Sequence, residues 1–201
     1  AYLDRLQAIF GQPNSDTNLS ARLDKVYAAF ETAGTLPDNT AARSQVVFAI
    51  DSLVREVQQI ADEVQLLRTD IELHLLSEVR EINNALERMA DLNIKISEGI
   101  ATDGSLGDFM DQRDAQLKII AKRMSITTYT QSDGRVVVMG GNGTLMLDTT
   151  PRVLEYRPAS TAEPGAVFDD IRIRNSPSAS GSGVPMEKDI LSGRIRGLLD
   201  L

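Results

Sequence analysis

The sequence has no cysteine, no tryptophan, a single histidine and only 4% aromatic residues. Without cysteine there is no disulfide framework, no thiol nucleophile and no thiolate metal site. With one imidazole, no histidine cluster can form. With so few aromatics, a core must be built from Leu, Ile, Val, Met and Ala, which suits packed helices better than a sandwich of aromatic-rich strands. Positive charge is also in deficit. Against 29 Asp and Glu stand 21 Lys and Arg, a net charge of −8. Nucleic-acid phosphates and anionic membrane surfaces repel such a chain, so neither is expected as a partner. No run of 18 apolar residues is present, so no membrane-spanning helix is expected. Ala1 to Phe10 mixes Asp4 and Arg5 with apolar groups and does not read as a signal peptide.

The most informative absence is local. From Asp38 to Glu98 there is no Gly and no Pro. Within that stretch Ile50, Leu53, Val57, Ile60, Val64, Leu67 and Ile71 step by alternating threes and fours, which is the seam of a helix packed lengthwise on other helices. The step becomes four and four through Leu75 and Val79, then resumes through Ile82, Leu86 and Met89. That stutter locally unwinds a supercoil and keeps the seam in line with a straighter helix. The pattern predicts one helix over about 38–98. At about 1.5 Å per residue it would be a rod on the order of 90 Å long, the spine of an elongated domain. Acids outnumber bases along it. Asp51 to Arg55 and Asp91 to Lys95 have the favourable i,i+4 order, worth only a few tenths of a kcal/mol each, so packing along the seam must hold the rod.

Shorter elements flank it. Tyr2, Leu3, Leu6, Ile9 and Phe10 share one face of a short helix ended by Gly11 and Pro13, and Asn14 to Asn18 is a polar loop. Leu19, Leu23, Val26, Tyr27 and Phe30 mark the expected buried face of a second helix that Gly34 ends. Both are expected to fold back on the rod and cover part of its seam. Leu36 to Thr40 is a turn carrying N-cap candidates. After the rod, Gly99 and Thr102-Asp103-Gly104-Ser105 break the helix. Asp108, with Asp111 three residues later, then caps a new one whose inner face carries Met110, Leu117, Ile120 and Met124, with the Arg113 stem between them.

The period then changes. Ile126 to Gln131 and Arg135 to Met139 are β-prone runs joined by Ser132-Asp133-Gly134, a hairpin signal. Gly140 to Gly143 is a tight turn. Thr144 to Leu147, Val153 to Arg157 and Val167 to Arg174 read as strands, Asn175 to Pro185 as a mobile Ser/Gly/Pro-rich loop, and Gly193 to Leu201 as the start of a helix. The expected fold is α+β: an elongated helical bundle built on one very long helix, followed by a smaller β-rich portion with a hairpin. Its parts are a helical domain at 1–124, a β-rich portion at 125–192 and a returning helix from 193.

Candidate chemistry is sparse. His74 lies inside the rod with no second ligand at metal-binding spacing. Asp111 and Asp114 are one helical turn apart, a spacing that suits a metal or an acid/base pair, although a first-turn position beside the helix dipole accounts for both. Gly140 to Gly143 lacks the Gly-Lys-Ser/Thr and following helix of a phosphate loop. Asp169-Asp170 has no partner motif, and no serine sits in a Gly-x-Ser-x-Gly frame. No catalytic, cofactor-binding or metal-ligating residue is assigned, and no enzyme activity is expected.

Several stretches together resemble the flagellar hook-associated protein 1 family, FlgK. They are Tyr2-Leu3-Asp4-Arg5-Leu6 with Phe10-Gly11, Leu19-Ser20-Ala21-Arg22-Leu23 leading to Tyr27-Ala28-Ala29-Phe30, and Pro37 with Ala41-Ala42-Arg43. Glu81-Ile82-Asn83 and Leu92-Asn93 also fit. The most specific stretch is Met110-Asp111-Gln112-Arg113-Asp114 with Leu117, followed by the Ile126 to Met139 hairpin. Ser192 to Leu199 is similar to the segment opening a returning helix. Met110 stands where the family usually has Leu, and Val153 to Val184 departs from its pattern. The resemblance implies a structural flagellar subunit at the hook–filament junction, exported by the flagellar type III apparatus and assembled outside the cell. It implies the hook protein, hook-associated protein 3 and copies of itself as partners, and an export chaperone acting through a terminus absent here. Ala1, without Met and inside a helix, and Leu198 to Leu201, opening another, read as the cut ends of a fragment, expected to be monomeric in solution. The seam alone also fits a second class, a homodimeric coiled-coil signalling or adaptor module with a peptide-binding β region.

Overall fold

The computed structural model describes residues 2–10, 18–101, 106–158, 168–176 and 181–201. It divides into two compact units, Ala1–Asp70 and Ile71–Leu201. Helices α1 (Tyr2–Phe10), α2 (Leu19–Thr35) and the first part of α3 (Thr40–Ala101) lie in the first unit. The expected helix ends at Gly11 and Pro13, and the loop at 14–17, fall outside the described residues, as do 102–105.

In the first unit α2 and α3 form an antiparallel pair. The Arg22 guanidinium donates to Ser52 Oγ at 2.8 Å and lies 3.5 Å from the Glu56 carboxylate. Arg5 on α1 donates to Asp70 at 2.7 Å. The side chain of Asn39 accepts from the N–H groups of Ala41 and Ala42, which makes it the N-cap that starts α3. Burial here is thin. Val26, Ala42 and Leu67 are buried, whereas Leu19, Leu23, Tyr27 and Phe30 of the expected inner face of α2 are exposed. The physical reason is geometric. Few helices meet in this unit, each pair closes only a narrow seam, and the wider apolar stripe of each helix is left outside it.

The second unit has a continuous core. From Ile71 onward the seam of α3 closes, and Leu75, Ile82, Leu86, Met89 and Ile96 are fully buried. The four-four step through Ile71, Leu75 and Val79 stays buried throughout, as a stutter requires. The helix runs through Gly99 to Ala101 rather than stopping at that glycine. Leu106 lies where a Gly99 side chain would be, so the glycine serves packing. Helix α4 (Gly107–Ala121) begins one residue before Asp108, which therefore sits in the first turn without capping it. Ile120 and Met124 are buried, and Met110 and Leu117 partly so, as the inner face predicts.

Two small antiparallel sheets follow. The first has the order β1 (Ile126–Thr130), β2 (Val136–Gly140), β3 (Leu145–Leu147). Its hairpin closes with Gly134 at φ +82°, donating to the Gln131 carbonyl while Gln131 donates back to Arg135. This is a tight turn closed by a left-handed glycine, as Asp-Gly predicts. The second has the order β4 (Val153–Glu155), β5 (Arg172–Arg174), β6 (Val184–Pro185). These strands are shorter than expected, Val167 is outside the described residues, and Val184–Pro185, expected as loop, pairs with β5. The last helix, α5 (Arg194–Leu199), starts on the end of α4. The N–H groups of Arg194 and Ile195 donate to the carbonyls of Lys122 and Arg123. Gly193, at φ +92°, fits there because a side chain would strike the Arg123 carbonyl.

Both sheets are tied to α3 by asparagines. Asn93 donates to the Val136 carbonyl at 2.9 Å and accepts from the Val136 N–H at 3.0 Å. Asn83 does the same to Leu154, at 2.8 and 2.9 Å. Each carboxamide presents one donor and one acceptor side by side, so it stands in for a residue of a neighbouring strand.

Candidate functional site

The buried polar residues described are Glu72, Glu78, Asn93 and Asp189. Glu78 is the centre of a charge cluster. Arg123 Nε lies 2.8 Å from its Oε2, as an ion pair without hydrogen-bond alignment. Arg194 and His74 approach its other oxygen at 3.5 and 3.3 Å. Arg123 is held in turn by the Ile119 carbonyl at 2.9 Å, with Glu81 3.7 Å away. Three elements thus converge on one carboxylate: α3, the end of α4, and α5. His74 is half-exposed, and its imidazole serves as a flank of this cluster.

Asp189, in a 3-10 turn at Glu187–Asp189, organises the glycine-rich turn. Its carboxylate accepts from the N–H groups of Asn142 and Thr144 at 3.0 and 3.1 Å and from the Thr144 hydroxyl at 2.7 Å. Its carbonyl accepts from the Gly141 N–H and the Ser125 hydroxyl. The carboxylate occupies the space where a Gly140 side chain would go. The run Gly140 to Gly143 is therefore a turn wrapped around an internal carboxylate. Its amides are spent within the chain.

The remaining candidates do not converge. Asp111 is exposed, and Asp114 pairs with Arg113 at 2.9 Å. Arg113 reaches the Gly134 carbonyl at 3.5 Å and so ties α4 to the hairpin turn. Asp170 pairs with Arg172 at 3.1 Å, beside an Arg174–Glu155 pair at 2.9 Å across β4 and β5. In the hairpin turn, the Arg135 guanidinium hydrogen-bonded to Asp133 holds that carboxyl below the usual carboxylate range. Asp51 and Arg55 form the expected i,i+4 pair, and Lys95 lies over the Phe109 ring at 5.8 Å. Among the described residues no three His, Cys, Asp or Glu side chains gather as metal ligands, and no helix is long and apolar enough to cross a membrane.

What the sequence reading missed is a surface. On the Ala1–Asp70 unit, Tyr27 is 67% and Phe48 71% exposed, with Phe30, Val47, Val54 and Val57 open beside them in sequence. The apolar residues of α2 and of the start of α3 recur at helical spacing, so what they fit is another helix laid lengthwise.

The family described as the flagellar hook-associated protein FlgK helical domain matches residues 3–201. Flagellar hook-associated protein 1 of Salmonella typhimurium, and that of Salmonella typhi, are each 25% identical over 189 residues, 92% of this chain. The chain spans 33% of the length of these relatives. The structure of the flagellar hook junction protein FlgK from Burkholderia pseudomallei shares its fold, with a TM-score of 0.76 at 17% identity, covering 98% of this chain and 36% of that one.

Proposed function

Because the chain belongs to the FlgK helical-domain family, structural components of the bacterial flagellum and not enzymes, we propose that it is the part of a junction subunit that joins hook to filament through lengthwise helix packing. The observation that carries this reading is the exposed apolar surface of the Ala1–Asp70 unit, on which Tyr27 and Phe48 are the most exposed aromatic side chains. Aromatic side chains dominate the energetics of protein interfaces once they are desolvated. The neighbours are copies of the same subunit, the hook protein and hook-associated protein 3. Contacts of this kind are heterologous, and their repetition closes a ring or extends a helix. Assembly takes place outside the cell after passage through the flagellar export apparatus.

The test is a double substitution, Tyr27→Glu with Phe48→Glu, in the protein of a swimming cell. Both positions face solvent, so far-UV circular dichroism of the isolated chain should be unchanged. Swimming should be lost and filaments shed. Normal motility with attached filaments would refute the assignment of these exposed aromatic side chains to assembly.

A further inference from the structure

Among the described residues, the sheet edges of the second unit are blocked, with one exception. The stretch of β2 not covered by β3 is occupied by Asn93 at Val136. The open side of β4 is occupied by Asn83 at Leu154. Strand β3 runs into the Leu147–Pro151 bridge, and β6 contains Pro185, which has no N–H to offer. The exception is β1. It has no charge, no proline and no bulge, and Thr127 to Thr130 are exposed on both faces of the strand.

The direction of its backbone groups follows from the register. Val136 turns its N–H and carbonyl away from β1, towards Asn93. Its partner across the ladder is Thr130. In an antiparallel pair, opposed residues either bond to each other or both point away, and the two states alternate. Thr130, Thr128 and Ile126 therefore point outwards. Among the described residues, nothing bonds to the outward groups of Thr128 or Thr130.

The geometry points to this edge as a pairing site for β1 of a second copy of the chain, antiparallel about a two-fold axis at Thr128. That register is self-complementary. Thr128 opposes Thr128, Ile126 opposes Thr130, and every opposed pair in that set is outward on both sides. Roughly six inter-strand hydrogen bonds result, two per pair. Thr127 falls opposite Tyr129, a β-branched and aromatic pair of the favourable kind, and the Thr–Thr pair is favourable too. The stretch from Ser125 to Gln131 is uncharged, so two copies of an acidic chain meet here without like charges in register. The contact is small and therefore weak, leaving the dilute chain a monomer. Its two-fold symmetry closes on itself, which separates it from the repeating contact of an assembled flagellum.

The absence of cysteine makes the test direct. Thr128→Cys should form an interchain disulfide on the order of tenfold faster than Thr150→Cys, an exposed control in the same unit. In sedimentation, the mean mass of the unsubstituted chain should rise towards a dimer as concentration approaches about 1 mM. Thr128→Lys should hold it at the monomer by placing like charges opposite each other. A mass that stays monomeric throughout in the unsubstituted chain would overturn the proposal. So would a dimer that persists in Thr128→Lys, which would assign association to the apolar helices instead. Neither result bears on the swimming test, since Tyr27 and Phe48 lie in the other unit.

Discussion

Replacing Asp189 by alanine is expected to lower the unfolding free energy by about 3–5 kcal/mol, measured by urea denaturation. Its carboxylate takes three hydrogen bonds, from Asn142, from the Thr144 amide and from the Thr144 hydroxyl, and the residue is only 2% exposed. Removing it strands those donors in a part-buried turn and leaves a void beside Gly140. A hydrogen bond to a charged acceptor is worth more than a neutral one, about 1.5–3 kcal/mol each before losses from relaxation. Asp189→Asn should recover part of the loss, because Oδ1 still accepts from the Asn142 and Thr144 N–H groups while the amide NH₂ replaces only the acceptor of the Thr144 hydroxyl. An alanine variant as stable as the unsubstituted chain would mean that the turn at Gly140 to Gly143 holds without its internal carboxylate.

Asn93→Ala should cost about 2–5 kcal/mol, because two buried main-chain groups of Val136 lose their partners at once. Asn93→Asp is the sharper variant. It keeps the shape and the acceptor for the Val136 N–H but sets a carboxylate against the Val136 carbonyl, so the ionised form is disfavoured and the loss should grow as pH rises past the carboxylate range. Asn83→Ala should cost less, since Asn83 is only part-buried at Leu154. The two sites lie ten residues apart on α3, about 15 Å along a helix, and serve different sheets, so their costs should add. Strong non-additivity in the double variant would show that the two sheets share more than the helix.

The long helix was legible because its cause is local. A stretch free of Gly and Pro, with apolar residues every three or four positions, has few other conformations to adopt. The hairpin was legible for the same reason, through Asp133-Gly134. What periodicity does not carry is whether anything lies opposite a face. Leu23, Tyr27 and Phe30 share a side of α2 as read, yet that side is open. The clusters at Glu78, Asn83 and Asn93 did leave a trace. Glu78 is three residues past Leu75, Asn83 four past Val79, and Asn93 four past Met89 and three before Ile96, all at seam spacing. A polar residue at a seam position signals a buried partner, and the partners, Arg123, Leu154 and Val136, are too distant in sequence to be named from it. Asp189 left no trace, because its donors come from a loop some 45 residues earlier.

The change in burial along α3 has a consequence for how the molecule breathes. Its peptide hydrogens are bonded in the same way from one end to the other, but only those from Ile71 onward are shielded by a closed core. Isolated helix is marginal in water, so the early turns should exchange deuterium through local fraying while the later ones wait for the sheets to come apart. One uninterrupted helix therefore has a yielding half and a fixed half: the first can adjust its side chains to whatever is laid along it, and the second keeps the register from which that adjustment is made.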